Sequence, residues 1–367
     1  MFNIEIYLDS LPEDIEEIDV SRKGIQNLDV TRFKNLKKLN CSDNQLTSLQ
    51  LNENLQELYC SDNQLTSLLL NENLQELYCD YNQLTSLLLN EKLQILYCNH
   101  NQLTSLHLNE NLQILHCHTN LLTSLYLNEK IEFLDYDNNQ LTSLHLNENL
   151  QELYCSDNQL TSLLLNENLQ TLYCYDNQLT SLHLNENLKD LSCSHNKLTS
   201  LHLNEKLQTL YCYHNHLTSL SLNENLKDLS CSHNQLTSLH LNEKLQTLHC
   251  SNNQLTSLHL NKNLKILHCS NNQLTSLYLN EKLQTIVYND NPIYEIINSN
   301  VIDIIHRKIR VLNQFRYLYY CLKFKKQLRD LLWVKIREPK IRERYSHDYL
   351  IANLHEETDL DELLDNW

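Results

Sequence analysis

The stretch LQELYCSDNQLTSLLLNEN, residues 150–168, decides the fold, because thirteen consecutive copies of this 19-residue pattern occupy residues 36–282. The copies follow L-x-x-L-x-C-x-x-N-x-L-T-S-L-x-L-N-E-(N/K), each opening on leucine or isoleucine, and a fourteenth copy starts at Leu283. Short tandem repeats build a solenoid, in which each unit buries its apolar side chains against its neighbours. Such a molecule has a long repetitive surface and no single deep cleft, which favours binding over catalysis.

The spacing within one copy predicts the path of its chain. Leu150, Leu153 and Cys155 are expected to point inward from a strand, with Glu152 and Tyr154 pointing outward. The asparagine at the ninth position, kept in all fourteen copies, is expected to turn the chain and satisfy its backbone groups. A second asparagine, at the seventeenth position, predicts a second turn. Because no copy contains glycine, these asparagines are also expected to supply any left-handed conformations.

This pattern resembles the leucine-rich repeat. Residues 55–65, LQELYCSDNQL, fit the family pattern L-x-x-L-x-L-x-x-N-x-L, with cysteine in the third apolar position. The resemblance implies an α/β-type repeat solenoid with parallel β-strands on one face, taken as the concave one. A repeat of 19 residues is just under the usual length of roughly 20–29. Short extended or 3-10 segments are therefore expected on the other face in place of helices.

Three regions are predicted along the chain. Residues 1–35 are expected to form an N-terminal cap with one degenerate repeat, opening with a strand near residues 1–10. Residues 36–301 are the leucine-rich solenoid, with thirteen full repeats and a degenerate fourteenth. From Ile293 onward apolar residues recur at three- and four-residue steps, which predicts helices, so residues 302–367 are expected to form a helical C-terminal cap with an acidic tail.

The C-terminal region is rich in charge. Residues 306–344 hold thirteen Lys and Arg against three acidic residues. Three roles are consistent with these basic helices: a cap with a solvated charged face, a docking site for an anionic partner or the acidic tail, and a nucleic-acid-binding surface. The stretches LWVKIREP, residues 332–339, and DLDELLDNW, residues 359–367, resemble the endings of repeat proteins from large amoeba-infecting DNA viruses. That resemblance implies a viral protein made in the host cytoplasm.

Composition narrows the function classes. A net charge of −17 makes nucleic acid an unfavourable partner for the chain as a whole. Residues 1–18 carry acidic residues and no basic one, so no secretory signal is expected. No uninterrupted apolar run reaches about 18 residues, so no membrane span is predicted.

Twelve of the thirteen cysteines fall at one inward position of the repeat, and Cys321 stands apart. Neighbouring strands lie about 4.8 Å apart, which exceeds the Cβ separation of about 3.8 Å that a disulfide prefers. Reduced, buried cysteines are therefore expected, and with them a reducing compartment such as the cytoplasm.

Aromatic and histidine side chains dominate the face predicted to be concave. A purely structural ladder and contact with a protein partner both explain them. The candidate partner-binding residues are Tyr59, Tyr78, Tyr81, Tyr97, His116, His118, Phe133, Asp135, Tyr154, Tyr173, Tyr175, Tyr211, Tyr213 and His214.

A weak metal candidate includes three of these residues and Asp137. His116 and His118 precede Asp135 and Asp137 by 19 residues, so each histidine is expected to face an aspartate on the next strand. Two imidazoles and two carboxylates suit zinc. A His–Asp hydrogen-bonded ladder, sequence drift and a partner-binding patch are the alternatives, and no cofactor is predicted.

Catalysis is not predicted, because identical copies supply no asymmetric set of nucleophile, base and orienting group. We expect a protein-interaction module that binds a protein partner, with the oligomeric state open. A structural component of a viral particle or inclusion is the second hypothesis. A ubiquitin ligase that uses Cys321, by analogy with bacterial effectors that carry such repeats, is the third, although the C-terminal region is short for that domain.

Overall fold

The computed structural model describes residues 2–325, 327, 334–335 and 338–339. The chain divides into two compact units, Met1–Ile302 and Asp303–Trp367. The first is built on a sheet of fifteen parallel strands, and a small second sheet pairs β14 with β16. The seventeen strands, three residues each, are β1 Glu17–Asp19, β2 Lys38–Asn40, β3 Glu57–Tyr59, β4 Glu76–Tyr78, β5 Ile95–Tyr97, β6 Ile114–His116, β7 Phe133–Asp135, β8 Glu152–Tyr154, β9 Thr171–Tyr173, β10 Asp190–Ser192, β11 Thr209–Tyr211, β12 Asp228–Ser230, β13 Thr247–His249, β14 Ser257–His259, β15 Ile266–His268, β16 Ser276–Tyr278 and β17 Thr285–Val287.

Each repeat contributes one strand to the large sheet, and the predicted facing of its side chains is confirmed. Leu150, Leu153 and Cys155 are fully buried, whereas Glu152 and Tyr154 are half-buried on the outer side. Strands pair in register at 19-residue steps, so like positions stack on like positions along the solenoid. Stacking of equivalent leucines produces one continuous apolar core between the sheet and the returning segments.

The returning segments on the back of the solenoid are extended, as one of the two predicted forms requires. Strands β14 and β16 pair there, and isolated bridges join Leu88 to His107 and Leu164 to His183. In the part of the chain that the structure describes, no 3-10 segment occurs. In the described residues, a repeat of this length returns through extended chain and turns, without a helix.

The ninth-position asparagines satisfy backbone groups of their turns, as predicted, and form a hydrogen-bonded ladder along the solenoid. The Asn158 side-chain oxygen accepts the Leu141 N–H at 2.9 Å. Its amide nitrogen donates to the carbonyl oxygens of Tyr136 at 3.0 Å and Ser156 at 2.9 Å. Equivalent bonds recur from Asn44 to Asn291. Each asparagine therefore ties its own turn to the preceding repeat.

The prediction that these asparagines take the left-handed conformation was wrong. The residue before each of them does so instead, as at Asp157, with φ of 52°. This leaves the asparagine amide free to reach the buried backbone groups. Aspartate, asparagine and histidine tolerate the conformation best, and they fill most of these positions. The left-handed residues of the repeats are Asp43, Asp62, Tyr81, His100, Thr119, Asn138, Asp157, Asp176, His195, His214, His233, Asn252, Asn271 and Asp290.

The leading strand predicted near residues 1–10 was also wrong, because this segment contains helix α1, Ile4–Asp9. Of its apolar residues Ile4, Ile6 and Leu8, only Leu8 is buried, and Ile6 is 68% exposed. Asn3 caps the helix, since its side chain accepts the Ile6 N–H at 3.1 Å. The degenerate repeat that follows supplies β1, with Ile18 fully enclosed.

Helices follow the last repeat, as predicted. Helix α2, Pro292–Ile297, buries Ile293 and Ile297 at the end of the first unit. Helix α3 spans Ile302–Lys323. No helix in the described ranges is long and apolar enough to cross a membrane. The Cys321 side chain, most of residues 326–344 and the acidic tail lie outside the described residues, so the expectations placed on them stay predictions.

Candidate interaction face

A continuous row of rings in contact with one another crosses the outer side of the large sheet. It consists of Tyr59, Tyr78, Tyr97, His116, Phe133, Tyr154 and Tyr173, and we call it the ring ladder. Ring centroids are separated, in order along the row, by 4.5, 4.8, 4.0, 4.5, 5.5 and 5.0 Å. The first four contacts are stacked, and the last two are tilted or edge-on. Seven of the fourteen predicted contact residues thus form one surface.

The strand register places these rings together. Tyr154 and Tyr173 are paired residues of β8 and β9, as Tyr59 and Tyr78 are of β3 and β4. At β7, Asp135 occupies the position that carries a ring in neighbouring strands, and Phe133 fills the gap from two residues earlier. All seven rings are half-buried, so they pack on one another and still offer one side to a partner.

Three other predicted residues lie apart from the ring ladder in a second row, formed largely by left-handed residues. Tyr81 stacks on His100 at 4.1 Å, and His214 stacks on His195 at 4.3 Å, with Tyr213 edge-on to His195 at 5.2 Å. Burial lowers the pKa of His214, and the neighbouring His233 and His195 lower it further. Its surroundings therefore favour the neutral form of His214.

The remaining tyrosines of the predicted set are Tyr175 and Tyr211. Tyr211 lies on β11 and is 39% exposed, two strands beyond the last ring of the ladder. Burial raises the pKa of Tyr175, which is half-buried. They extend the aromatic surface without joining the stack.

Of the two predicted His–Asp pairs, one forms. His116 Nδ1 lies 3.3 Å from Asp135 Oδ2. His118 Nδ1 instead faces its neighbour, the Thr119 hydroxyl, at 3.1 Å. Asp137 accepts the Ser156 backbone N–H at 2.6 Å. In the described ranges no group of three or more His, Cys, Asp or Glu side chains is arranged to hold a metal ion.

Asp137 belongs to a row in which one side chain accepts the backbone N–H of the next repeat. Asp80 accepts the Asn99 N–H at 2.8 Å, and Asn99 accepts the His118 N–H at 2.9 Å. Burial raises the pKa of Asp137 to about 6, against the lowering effect of the Ser156 bond. Burial also raises the pKa of Asp80. These carboxylates join neighbouring repeats through hydrogen bonds, although burial of their negative charge is unfavourable.

The twelve repeat cysteines are buried and free, as predicted. Burial raises the pKa of Cys41 to about 12 and the pKa of Cys60 well above its usual value. A thiol in this state is a small apolar group and a poor nucleophile. The row therefore contributes packing and offers no reactive sulfur.

Two features of the surface escaped the sequence analysis. The outward residue two before each ladder position is apolar at Ile95 and Ile114 and acidic at Glu76 and Glu152. The back of the solenoid carries large exposed side chains at the fifteenth repeat position. These are Leu69, Leu88, Tyr126, Leu164 and Tyr278, exposed by 80, 76, 84, 82 and 47%. The sequence could have predicted this exposure, because the fifteenth position lies between two inward leucines and must point outward.

The architecture is shared with leucine-rich repeat proteins of known structure. The functional domain of InlJ from Listeria monocytogenes, which includes a cysteine ladder, is 31% identical, with a TM-score of 0.65; the match covers 71% of this chain and 69% of that one. YopM from Yersinia pestis, a leucine-rich effector protein, is 30% identical over 70% of this chain and 78% of its own, with a TM-score of 0.65. A leucine-rich repeat protein from Leptospira interrogans is 26% identical over 79% and 93%, with a TM-score of 0.57.

No family model matches the chain, and a search of curated proteins finds no match. The identity and coverage shared with InlJ and YopM, together with the repeat geometry, establish that the chain belongs to the leucine-rich repeat family.

Proposed function

We propose that this chain is a non-catalytic protein-interaction module that binds a protein partner through the ring ladder and the tyrosines and histidines beside it. The observation that carries the proposal is the half-exposed row of seven contacting rings on one face of the large sheet. Tyrosine and phenylalanine rings present a large contact area and lose little conformational entropy on binding. Their stacking in the free chain holds them in place before the partner arrives.

A pull-down from amoebal lysate, read by mass spectrometry, tests this proposal. One bait carries Tyr154→Ala, Tyr173→Ala and Tyr211→Ala on the sheet face. The matched control carries Tyr126→Ala and Tyr278→Ala on the back. We expect a protein that the wild type and the control both capture and the sheet-face variant does not. Equal capture by all three baits would contradict the proposal.

A second candidate function, structural assembly, is favoured by the exposed residues on the back. Leu69 and Leu88 are neighbours in successive repeats, and each is more than three-quarters exposed. Exposed apolar rows of this kind promote contact between copies. Sedimentation of the wild type and of a Leu69→Ser/Leu88→Ser variant over a range of concentrations tests it. Association that the variant abolishes would support assembly, and a monomer at every concentration would oppose it.

We further propose a viral source and the host cytoplasm as the place where the chain works. The C-terminal resemblance to proteins of large amoeba-infecting DNA viruses supports the source, and the buried free thiols suit a reducing compartment. Alkylation of the protein after it is denatured straight from cells tests the compartment. Recovery of the repeat cysteines as alkylated thiols is expected, and recovery as disulfides would refute it.

A further inference from the structure

A lysine already occupies one end of the ring ladder. Lys38 Nζ lies 5.2 Å from the centre of the Tyr59 ring and 3.0 Å from Glu57 Oε2. The hydrogen bond to Glu57, the largest cause, raises the pKa of Lys38. An aromatic face with a carboxylate beside it is a favourable binding site for a cation. The chain thus displays, with its own lysine, how a cation can bind here.

The carboxylate and tyrosine hydroxyl of that site recur twice without a lysine, whereas both faces of the Tyr78 ring are covered, by Tyr59 at 4.5 Å and by Tyr97 at 4.8 Å. Glu76 lies beside Tyr78, whose hydroxyl donates to its carboxylate at 3.3 Å, and Glu152 lies beside Tyr154 in the same way at 3.4 Å. In the described ranges no ion pair forms at Glu76 or Glu152. Glu76 pairs in register with Glu57, which already holds Lys38 at 3.0 Å. A partner cation at Glu76 would repeat that ion pair on the next strand.

Between Glu76 and Glu152, the equivalent outward positions of the intervening strands are apolar. Ile95, Ile114 and Phe133 lie on β5, β6 and β7, and all three are half-exposed or less. No Lys or Arg occupies the outward strand positions from β3 to β9, while Asp135 adds negative charge. The surface therefore has an apolar centre with a carboxylate and a tyrosine hydroxyl at each side, the arrangement of an interface hot spot with a polar rim.

We propose that the ring ladder recognises a basic segment of its protein partner, in which an apolar side chain is flanked on each side by lysine or arginine. This inference rests on the proposed function and names the chemistry of the partner. Glu76 and Glu152 are four repeats apart, about 19 Å at roughly 4.8 Å per strand. An extended segment spans that distance in about six residues. The two cations are therefore separated by about six residues if the segment is extended.

Fluorescence anisotropy with a synthetic peptide tests the inference. The probe carries one arginine near each end, about six residues apart, isoleucine and phenylalanine between them, and serine elsewhere. The test variant is Glu76→Gln/Glu152→Gln. The matched control, Glu72→Gln/Glu148→Gln, removes the same charge from the exposed second turn. We expect the Kd of the test variant to rise about fivefold or more, and that of the control to change less than about twofold.

The other outcomes overturn the inference. Equal weakening by both variants would mean attraction by net charge alone, and binding of a probe whose arginines are replaced by glutamate would mean that cations are not recognised. Absence of measurable binding of the arginine probe would do the same. If the lysate partner is lost with the tyrosine variant but not with Glu76→Gln/Glu152→Gln, the interaction module stands and its basic ligand does not.

Discussion

Replacing Asp137 with asparagine should stabilise the solenoid at neutral pH and leave its stability nearly unchanged in acid. Asp137 accepts the Ser156 N–H at 2.6 Å, and its pKa is raised from 3.8 to about 6, mainly by burial and also by the charges of Asp135 and Asp157. An asparagine can keep that bond, because Asn99 makes the equivalent bond at 2.9 Å two repeats earlier. The substitution therefore removes charge and retains geometry.

The magnitude follows from the raised pKa. A difference of about two units corresponds to about 3 kcal/mol, and partial exposure of the carboxylate reduces this to about 1–3 kcal/mol. Above pH 6 the folded and unfolded states both hold Asp137 ionised, and the folded state bears the cost of burying the charge. Between pH 6 and 3.8 the folded state takes up a proton that the unfolded state does not, so the wild type regains this free energy as the pH falls.

Urea denaturation at pH 7.5 and at pH 4 measures the effect. We expect Asp137→Asn to raise the free energy of unfolding by about 1–3 kcal/mol at pH 7.5 and by about 0.5 kcal/mol or less at pH 4. The reciprocal variant Asn99→Asp places a carboxylate in the same bonding row, at a side chain 7% exposed, and should destabilise at pH 7.5 more than at pH 4. Equal effects of Asp137→Asn at the two pH values would refute the reasoning.

Three further predictions concern the stability of the repeat. Asn158→Ala should lower the free energy of unfolding by about 3–5 kcal/mol, because buried backbone groups lose their hydrogen-bond partners. Asn168→Lys should change it by less than about 0.5 kcal/mol, since lysine occupies that position in other repeats. Urea denaturation that ranks the two variants otherwise would contradict the asparagine ladder. Tyr136→Phe should be neutral or stabilising by about 1 kcal/mol, because the buried hydroxyl has no hydrogen-bond partner in the described ranges; a marked fall in Tm would show that it has one. His214→Asn should reduce the loss of stability as the pH falls below 6.5, because the lowered pKa of His214 makes its protonation unfavourable in the folded state; identical Tm profiles from pH 7 to 5 would oppose this.

Much of the fold could be predicted because the spacing of leucine and cysteine in the repeat identifies its inward positions. The buried Leu150, Leu153 and Cys155 were assigned from spacing alone, and copies at a fixed interval can pair only in parallel register. The left-handed residue was misassigned because conservation of asparagine identifies the hydrogen-bonding side chain, not the strained backbone beside it. The leading strand was wrong because Asn3 caps a short helix there, of which only Leu8 is buried.

The candidate face was predicted less completely. The column of rings could be read from the sequence, since residues 19 apart lie on adjacent strands. The hydrogen bonds of the side chains beside that column could not be read: His118 contacts the Thr119 hydroxyl, and Asp137 accepts a backbone N–H. Spacing fixes which side chains are neighbours, whereas competition among nearby donors fixes which of them bond. The candidate cation sites at Glu76 and Glu152 were likewise recognised only from the structure, in which Lys38 lies over Tyr59.

Hydroxyl-radical footprinting of the wild-type chain, with and without the protein captured from lysate, tests the central claim most directly. Tyrosine oxidation reports both faces in one experiment. Bound partner should protect Tyr154 and Tyr173 in the ring ladder and leave Tyr126 and Tyr278 on the back as reactive as in the free chain. Protection of the back tyrosines with unchanged oxidation of the ladder would contradict the account.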